Sequence, residues 1–401
     1  MDGPTENGLA EFAAAIRRAR PRGLVDLYLE AVSEAWWRLD RGTVVGHGVL
    51  RREGAAARRE GQLLSCDGLD RTVLAEVTGA PAARLAPFAF PALPTPPDLE
   101  AVRERAPVTA GTLRWRTSRA AVVRDGVATA IRRPVLLEVT RPDRQRLLLT
   151  WPPQEPLADD QPVGEAPVAP RPGPTTVLFA PAAAAVLVHE LFGHPLEGDA
   201  LLAGGSPWSG RFGTWVVPLP LDLDDDPTRF ELPGAFNVDD EGTEASVRPL
   251  LRAGELVGAL SDLACATVFG LPAGNARRAS VHAPPRPRLS NLVAGGGSAE
   301  PPPRSAARLE VTSLSSGNVQ PHSGLLVLTV RTGFALRGGE RQRLLQPCTL
   351  TAPVATACDG LRAAGGAPLA TAEPGWCGKD GDVLATGAVT PWLLVAGLEV
   401  S

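Results

Sequence analysis

The segment HELFGHPLEGD, residues 189–199, constrains the fold more than any other part of the chain. Its two histidines, His189 and His194, are five positions apart, and on a straight α-helix this spacing leaves their side chains about 140° out of line. Gly193 permits a wide turn or local unwinding, and Pro195 disfavours helical φ/ψ for the residue before it. We therefore expect the helix to end or bulge here, so that His194 turns back towards His189.

Two imidazoles and an adjacent glutamate are the groups that a zinc-activated water requires. His189 and His194 would supply neutral nitrogen ligands, and Glu190 a carboxylate that takes a proton from water. The chain has only five histidines, so two of them around one glutamate favour a metal site over lone structural histidines. Zinc hydrolases hold the metal with three protein ligands and leave one position for water, so a third ligand is required.

The best candidate for the third ligand lies in GWCGKDGD, residues 375–382. Cys377 stands between glycines in a predicted tight loop, where a thiolate could approach a cation. Lys379 is the only lysine in a chain whose basic residues are otherwise arginine. We expect Lys379 to lie close to Cys377, favouring the thiolate or contacting a substrate carbonyl. The alternative is that Cys377 is one of five ordinary cysteines and that Lys379 has no special role.

Several further residues are candidates for supporting the metal site or binding substrate. Glu197 and Asp199 could hydrogen-bond the second histidine of the motif or its loop, or they could be solvated acids. Arg277 and Arg278, with Arg286 and Arg288 of the same segment, could bind peptide carbonyls or a C-terminal carboxylate, and a solvated basic loop is the alternative. His282 has no motif partner, and we interpret it as structural or substrate-lining.

These motifs, taken with several intervening segments, resemble the TldD/PmbA family, and specifically its metal-bearing TldD branch. The intervening segments are FNVDDEGT (236–243), GELVGALSD (254–262) and GNARRASVHAPPRPRLSN (274–291). DLYLE (26–30) and EGAAARREG (53–61) also fit. HExxxH alone would be weak evidence, because dipeptidyl peptidase III carries a similar HELLGH, but the joint match in this order is specific.

Proline-rich segments divide the chain, and the predicted fold class is α+β. In chain order we predict an N-terminal α/β domain (1–80), a proline-rich linker (81–99), a shortened β-rich middle domain (100–151), a second linker (152–174) and a β-rich metallopeptidase domain carrying the HExxxH helix (175–401). Helices are predicted near 8–19 and 24–37, and hairpins are predicted to turn at Asp125–Gly126 and near Pro142.

Composition narrows the classes of function. A net charge of −4 argues against a bulk preference for nucleic acid or anionic membranes. The N-terminus lacks the pattern of a secretory signal, and no apolar run approaches the length of a membrane span. Five cysteines at scattered positions do not indicate a disulfide framework, which suits a reducing compartment. We therefore expect a cytoplasmic enzyme.

The sequence predicts a zinc metallopeptidase in which His189, His194 and Cys377 bind Zn²⁺ and Glu190 is the general base. The resemblance implies substrates that are unfolded peptides or flexible segments, such as leader peptides or labile antitoxins. It also implies a homologous PmbA-like subunit in a heterodimer, with a homodimer as the other arrangement. The alternatives are a non-catalytic PmbA-like binding subunit, a dipeptidyl peptidase III-like exopeptidase, and a structural metal with four protein ligands.

Overall fold

The computed structural model describes residues 5–19, 21–85, 88–142, 145–153, 167–320 and 323–401. The fold is α+β, as predicted, with most regular structure in two large sheets. The helices are α1 (Thr5–Ala19), α2 (Arg71–Thr78), α3 (Leu99–Arg105), α4 (Pro181–Val188), α5 (Gly198–Leu202), α6 (Leu263–Phe269) and α7 (Val354–Asp359). The strands are β1 (Leu24–Asp40), β2 (Thr43–Arg59), β3 (Gln62–Asp67), β4 (Gly111–Arg124), β5 (Val127–Ile131), β6 (Leu136–Thr140), β7 (Arg146–Thr150), β8 (Gly173–Phe179), β9 (Asp222–Asp225), β10 (Arg248–Arg252), β11 (Glu255–Leu256), β12 (Ala276–Arg277), β13 (Arg286–Pro287), β14 (Asn291–Gly295), β15 (Leu309–Val319), β16 (Leu325–Arg337), β17 (Glu340–Leu344), β18 (Cys348–Pro353), β19 (Leu361–Lys379) and β20 (Asp382–Val400).

The N-terminal sheet has the strand order β3-β2-β1-β4-β6-β7, with β5 paired to β4. One face packs against α1 and α2 through a buried apolar cluster that includes Phe12, Leu27 and Leu74. The opposite face contributes Tyr28 to a second cluster that also contains Val281, from the C-terminal region. The sheet therefore lies between its own helices and the part of the chain that carries the metal motifs.

The helix predicted near residues 24–37 is wrong, because this segment forms β1, the central strand of the N-terminal sheet. β1 pairs along nearly its whole length with β2 on one side and β4 on the other. Successive side chains of a strand point to opposite faces, and both faces of this sheet are covered, so apolar residues occur on both. Because apolar residues are this frequent, the sequence of the segment also matches a helical pattern. The segment is a strand because it pairs with β2 and β4.

Strands from the predicted N-terminal and middle domains belong to this one sheet, since β1 pairs directly with β4. The division of residues 1–151 into two domains therefore has no counterpart in separate sheets, and its boundaries stay a prediction. The hairpin turn at Asp125 and Gly126 is confirmed: both residues have positive φ, as a two-residue turn of type I′ requires. β6 and β7 also pair as predicted. Residues 143 and 144 of their connection, and most of the second linker, lie outside the described residues.

The C-terminal sheet closes on itself around a buried helix. β8 pairs with both β15 and β20, so the order β20-β18-β16-β15-β8 returns to β20. α4 packs against β15, β19 and β20 and has seven of its eight residues buried. A helix that is apolar on all sides belongs in a core, and its position fixes where the residues after Val188 emerge.

Among the described residues, no helix is both long enough and apolar enough to cross a membrane.

Candidate metal centre

The predicted bulge after α4 is confirmed, and it is a π-helical turn over His189–Gly193. The backbone N–H of His194 donates to the carbonyl of His189, which is the five-residue closure of a π turn. This wider turn brings the sixth residue over the first, so the two imidazoles lie 4.8 Å apart between ring centroids. A short 3₁₀ turn, His194–Leu196, then ends the helix.

A tryptophan that sequence reasoning missed supports the π turn. The indole N–H of Trp208 donates to the carbonyl of Leu191 at 2.8 Å, and its ring stacks on Phe192 at 5.6 Å. A widened helical turn leaves some backbone N–H and C=O groups without their regular partners. A buried backbone group of this kind is costly unless it finds another hydrogen bond. Trp208 supplies that bond, but it lies in a loop without any motif that would have marked it.

Cys377 lies on β19 and not in the tight loop predicted for it. The loop begins three residues later, at Asp380 and Gly381, whose positive φ values close the β19–β20 hairpin. Strand pairing with Leu384 holds Cys377 in register and brings its sulfur 3.2 Å from Nε2 of His194. A strand positions a ligand more rigidly than a glycine loop would.

The three predicted ligands converge. One donor atom each from His189, His194 and Cys377 lies within 4.8 Å of the others. Tetrahedral ligands at about 2.0–2.3 Å from one zinc ion are roughly 3.3–3.8 Å apart, close to the spacing of the sulfur and the His194 nitrogen. His189 and Cys377 are each 2% exposed, and Nδ1 of His189 has no hydrogen-bond partner among the described residues. The donor set fits a zinc ion, and the spacing of the sulfur and the His194 nitrogen is close to that of two zinc ligands.

The charges of the three groups depend on one another. Burial alone would raise the pKa of the Cys377 thiol, but the two imidazoles hold that pKa well below its usual range. Burial disfavours protonated His194, yet Cys377 and Glu197 raise its pKa well above the usual value. Both shifts favour a thiolate beside an imidazolium when no metal is bound.

Glu197 holds the ring of His194 from the other side. Its carboxylate lies 3.4 Å from Nδ1 of His194, which leaves Nε2 directed at the sulfur. Lys379 Nζ at 2.8 Å and Arg288 Nε at 3.3 Å also contact the carboxylate. Burial alone would raise the pKa of Glu197, but His194, Lys379 and Arg288 lower it to about 2. Glu197 is therefore an anion that orients the histidine.

Arg288 and Lys379 connect this acid to the rest of the site. Arg288 is 2% exposed, donates to the carbonyl of Cys377 at 2.8 Å and lies 3.1 Å from its sulfur. Lys379 also binds Asp199, with its Nζ 2.6 Å from the carboxylate. The sequence expectation that Lys379 lies close to Cys377 agrees with this geometry, although the contacts of Lys379 are with acids. The sequence marked Arg288 only as one of several arginines in its segment, and nothing in the sequence indicated that it contacts Cys377.

Glu190 follows His189 in the π turn and lines the same cavity, whose volume is about 690 Å³. Burial raises the pKa of its carboxyl, while the nearby imidazoles oppose the rise. A methyl group added at Gly317 of β15 would lie 2.6 Å from Cγ of Glu190, so only glycine leaves room for this side chain. The carboxylate thus has both a fixed place beside the ligands and access to a cavity.

The remaining candidates lie away from the metal cavity. Arg277 donates to the carbonyls of Leu289 and Ala385, and Arg278 lies over the Tyr28 ring, 4.3 Å from its centroid. His282 is exposed and contacts Ser65 and Asp67. None of these three side chains lines the metal cavity. Their roles in substrate binding stay predictions.

Comparison with known proteins identifies the class. The family model described as the PmbA/TldA metallopeptidase C-terminal domain matches residues 172–401, more than half of the chain and the whole of the part that carries the metal centre. The chain belongs to the PmbA/TldD family of metallopeptidases.

Relatives with curated names agree with this family. A metalloprotease from Archaeoglobus fulgidus is 28% identical over 230 residues, which cover 57% of this chain and 53% of that protein. A metalloprotease TldD homologue from Haemophilus influenzae is 27% identical over 225 residues, which cover 54% of this chain and 45% of that protein. The match therefore spans about half the length of these relatives.

The likeness extends over the whole fold when structures are compared. The crystal structure of TldE from Thermococcus kodakarensis has a TM-score of 0.69 and covers 96% of this chain and 98% of its own. Its sequence identity of 15% means that the likeness shows the fold alone.

Proposed function

We propose that this chain is a zinc-dependent metallopeptidase that hydrolyses peptide bonds in unfolded peptides or flexible segments, with Glu190 as the general base. The observation that carries the proposal is the convergence of His189, His194 and Cys377 beside Glu190 at one wall of a large cavity. Among the described residues, the cluster offers three protein ligands, the number typical of catalytic zinc, whereas structural zinc has four.

Each side chain then has a defined task. When bound, zinc supplies Lewis-acid chemistry that activates water and polarises a carbonyl. Glu190 accepts the proton of the attacking water at its carboxylate and passes it to the leaving amine, a task suited to a raised pKa. Glu197 fixes the tautomer of His194, and Arg288 holds Cys377 through its carbonyl. Burial of His189 and Cys377 keeps bulk water from competing for these two ligands.

The cavity supports a preference for extended peptides. Residues 314–319 of β15 line it, and β16 pairs with them on one side only. In the part of the chain that the structure describes, no strand pairs with their other edge. A free strand edge can bind a peptide through backbone hydrogen bonds, which tolerates many sequences. Leader peptides and labile antitoxins are substrates of this kind.

A direct assay tests the proposal. Purified protein should contain about one zinc ion per chain and cleave an unstructured peptide. A chelator should abolish the cleavage, and added zinc should restore it. Cleavage that survives complete removal of metal would refute the metallopeptidase, and so would a metal-loaded chain, with any required partner present, that cleaves no unstructured peptide.

Zinc binding should release about one proton per ion at neutral pH. The lowered pKa of Cys377 favours the thiolate and the raised pKa of His194 favours its protonated form, and the proton on His194 must leave before the nitrogen can bind zinc. Affinity should therefore fall as pH falls and rise towards the raised pKa of His194. Calorimetry in buffers of different ionisation enthalpy measures the released proton. Release of no proton would contradict the assignment of a proton to His194. His282→Gln should change nothing, because His282 is not part of the metal-binding cluster.

A PmbA-like partner subunit would affect both activity and assembly. If a PmbA-like subunit closes the cavity, the isolated chain should cleave slowly or form a homodimer, and co-expression with such a subunit should raise kcat/KM. Light scattering combined with the kinetic assay reports both properties. A fully active monomer would contradict the partner while leaving the metallopeptidase intact.

A further inference from the structure

A second cavity, of about 60 Å³, lies between the N-terminal sheet and the β19–β20 hairpin. Trp376 lies between this cavity and the metal cavity and lines both. Successive side chains of a strand point to opposite faces, so the indole of Trp376 projects away from the Cys377 sulfur, and it binds Glu138 of β6 at 2.6 Å. The small cavity is therefore separated from the metal ligands by the hairpin itself.

Positive charge predominates in the lining. The charged residues of the lining are Arg116, Arg133, Arg277, Arg278, Glu30 and Asp240. Four guanidinium groups face two carboxylates, an excess of two positive charges. Both carboxylates contact Arg133, and Arg116 contacts Glu34 beside the lining, so the excess positive charge lies on Arg277 and Arg278.

Arg278 is a buried side chain in this cavity whose guanidinium lacks hydrogen bonds among the described residues. It is 4% exposed, and none of its three guanidinium nitrogens has a hydrogen-bond partner among the described residues. The guanidinium lies over the face of Tyr28, and burial lowers its pKa, although the nearby Asp240 and Asp26 oppose the fall. A buried cation whose N–H groups are not hydrogen-bonded is costly, and an arginine fork is matched in geometry by the two oxygens of a carboxylate or phosphate.

We propose that this cavity is a binding site for one small oxyanion, a carboxylate or phosphate group, held by Arg278 and bridging the two sheets. A cavity needs about 10–15 Å³ to hold one water, so this one has room for a single oxyanion group of a few heavy atoms. The inference does not rest on the metallopeptidase function, because no ligand of the metal contributes to the lining.

Calorimetric titration of the purified chain with sodium acetate and with sodium phosphate, in a buffer free of other small anions, tests the site. We expect saturable binding of one anion per chain, and no binding of 2-naphthoate, which is too large. Arg278→Met should weaken binding roughly ten- to hundredfold, the effect of losing charge-assisted hydrogen bonds. Arg229→Met removes a half-buried arginine that is paired with Asp226 and Glu231 and lies outside the lining, and it should leave binding unchanged.

Further variants and ligands keep the test decisive. Ala279→Leu fills the cavity while keeping every arginine, so it should abolish binding even if Arg278→Met fails to fold. A tripeptide with a free C-terminus, compared with its amide, distinguishes a peptide carboxylate from a free anion as the source. The absence of saturable binding would mean that the cavity holds only water, and it would overturn the proposal. Binding that Ala279→Leu leaves unchanged would overturn it as well.

Discussion

Glu190→Gln should lower peptide hydrolysis by roughly two to four orders of magnitude, the contribution of a positioned general base. Glutamine keeps the size of the side chain, so it fits the space that Gly317 leaves and does not disturb His189. The amide cannot accept the proton of the attacking water, and the reaction loses its base while the ligands remain. The measurement is kcat/KM on an unstructured peptide, together with zinc content per chain.

Glu340→Gln is the matched control, because Glu340 is exposed on β17, away from the metal cavity, and undergoes the same chemical change. It should leave both kcat/KM and zinc content unchanged. If Glu190→Gln retained zinc and full activity, Glu190 would not be the base. If it lost zinc, the loss of activity would report on the metal and the variant would have to be tested at saturating zinc.

The histidine and glutamate part of the site could be predicted from sequence because these residues lie close together in the chain. If His189 and His194 bind one metal, their spacing, with Gly193 between them, excludes a regular α-helix. The structure has a π turn in its place. The contribution of Cys377 could be anticipated only from its motif, since 183 residues separate it from His194. The strand that carries it depends on pairing with β20, which no local pattern records.

Features that depend on packing between distant segments could not be predicted in the same way. β1 has enough apolar residues for a helix, and only its two neighbouring strands decide otherwise. Arg288 and Trp208 support the ligands from loops without a diagnostic pattern. The role of Glu197 was anticipated as a bond to the histidine, but its burial among two cations comes from the tertiary structure.

Cys377→Ser should weaken zinc binding by at least about a hundredfold, because loss of a group that merely orients a ligand already costs 10- to 100-fold. Serine is similar in size but its hydroxyl is not an anion at neutral pH, so both the soft donor and its charge are removed. The same change removes one of the two groups that raise the pKa of His194, and in the metal-free protein that pKa should fall. NMR titration of the imidazole measures this second effect without any metal.

The other cysteines give the control for this last prediction. Cys348 and Cys358 are buried like Cys377, but they lie on β18 and α7 and do not belong to the metal-binding cluster. Serine at either position tests the cost of burying a hydroxyl, and zinc affinity of the folded protein should be unchanged. Glu197 already contacts His194, so its carboxylate is the next candidate for the third ligand if Cys377 does not bind zinc. If zinc affinity were unchanged in Cys377→Ser and lost in Glu197→Gln, the third ligand would be this carboxylate and not the thiolate.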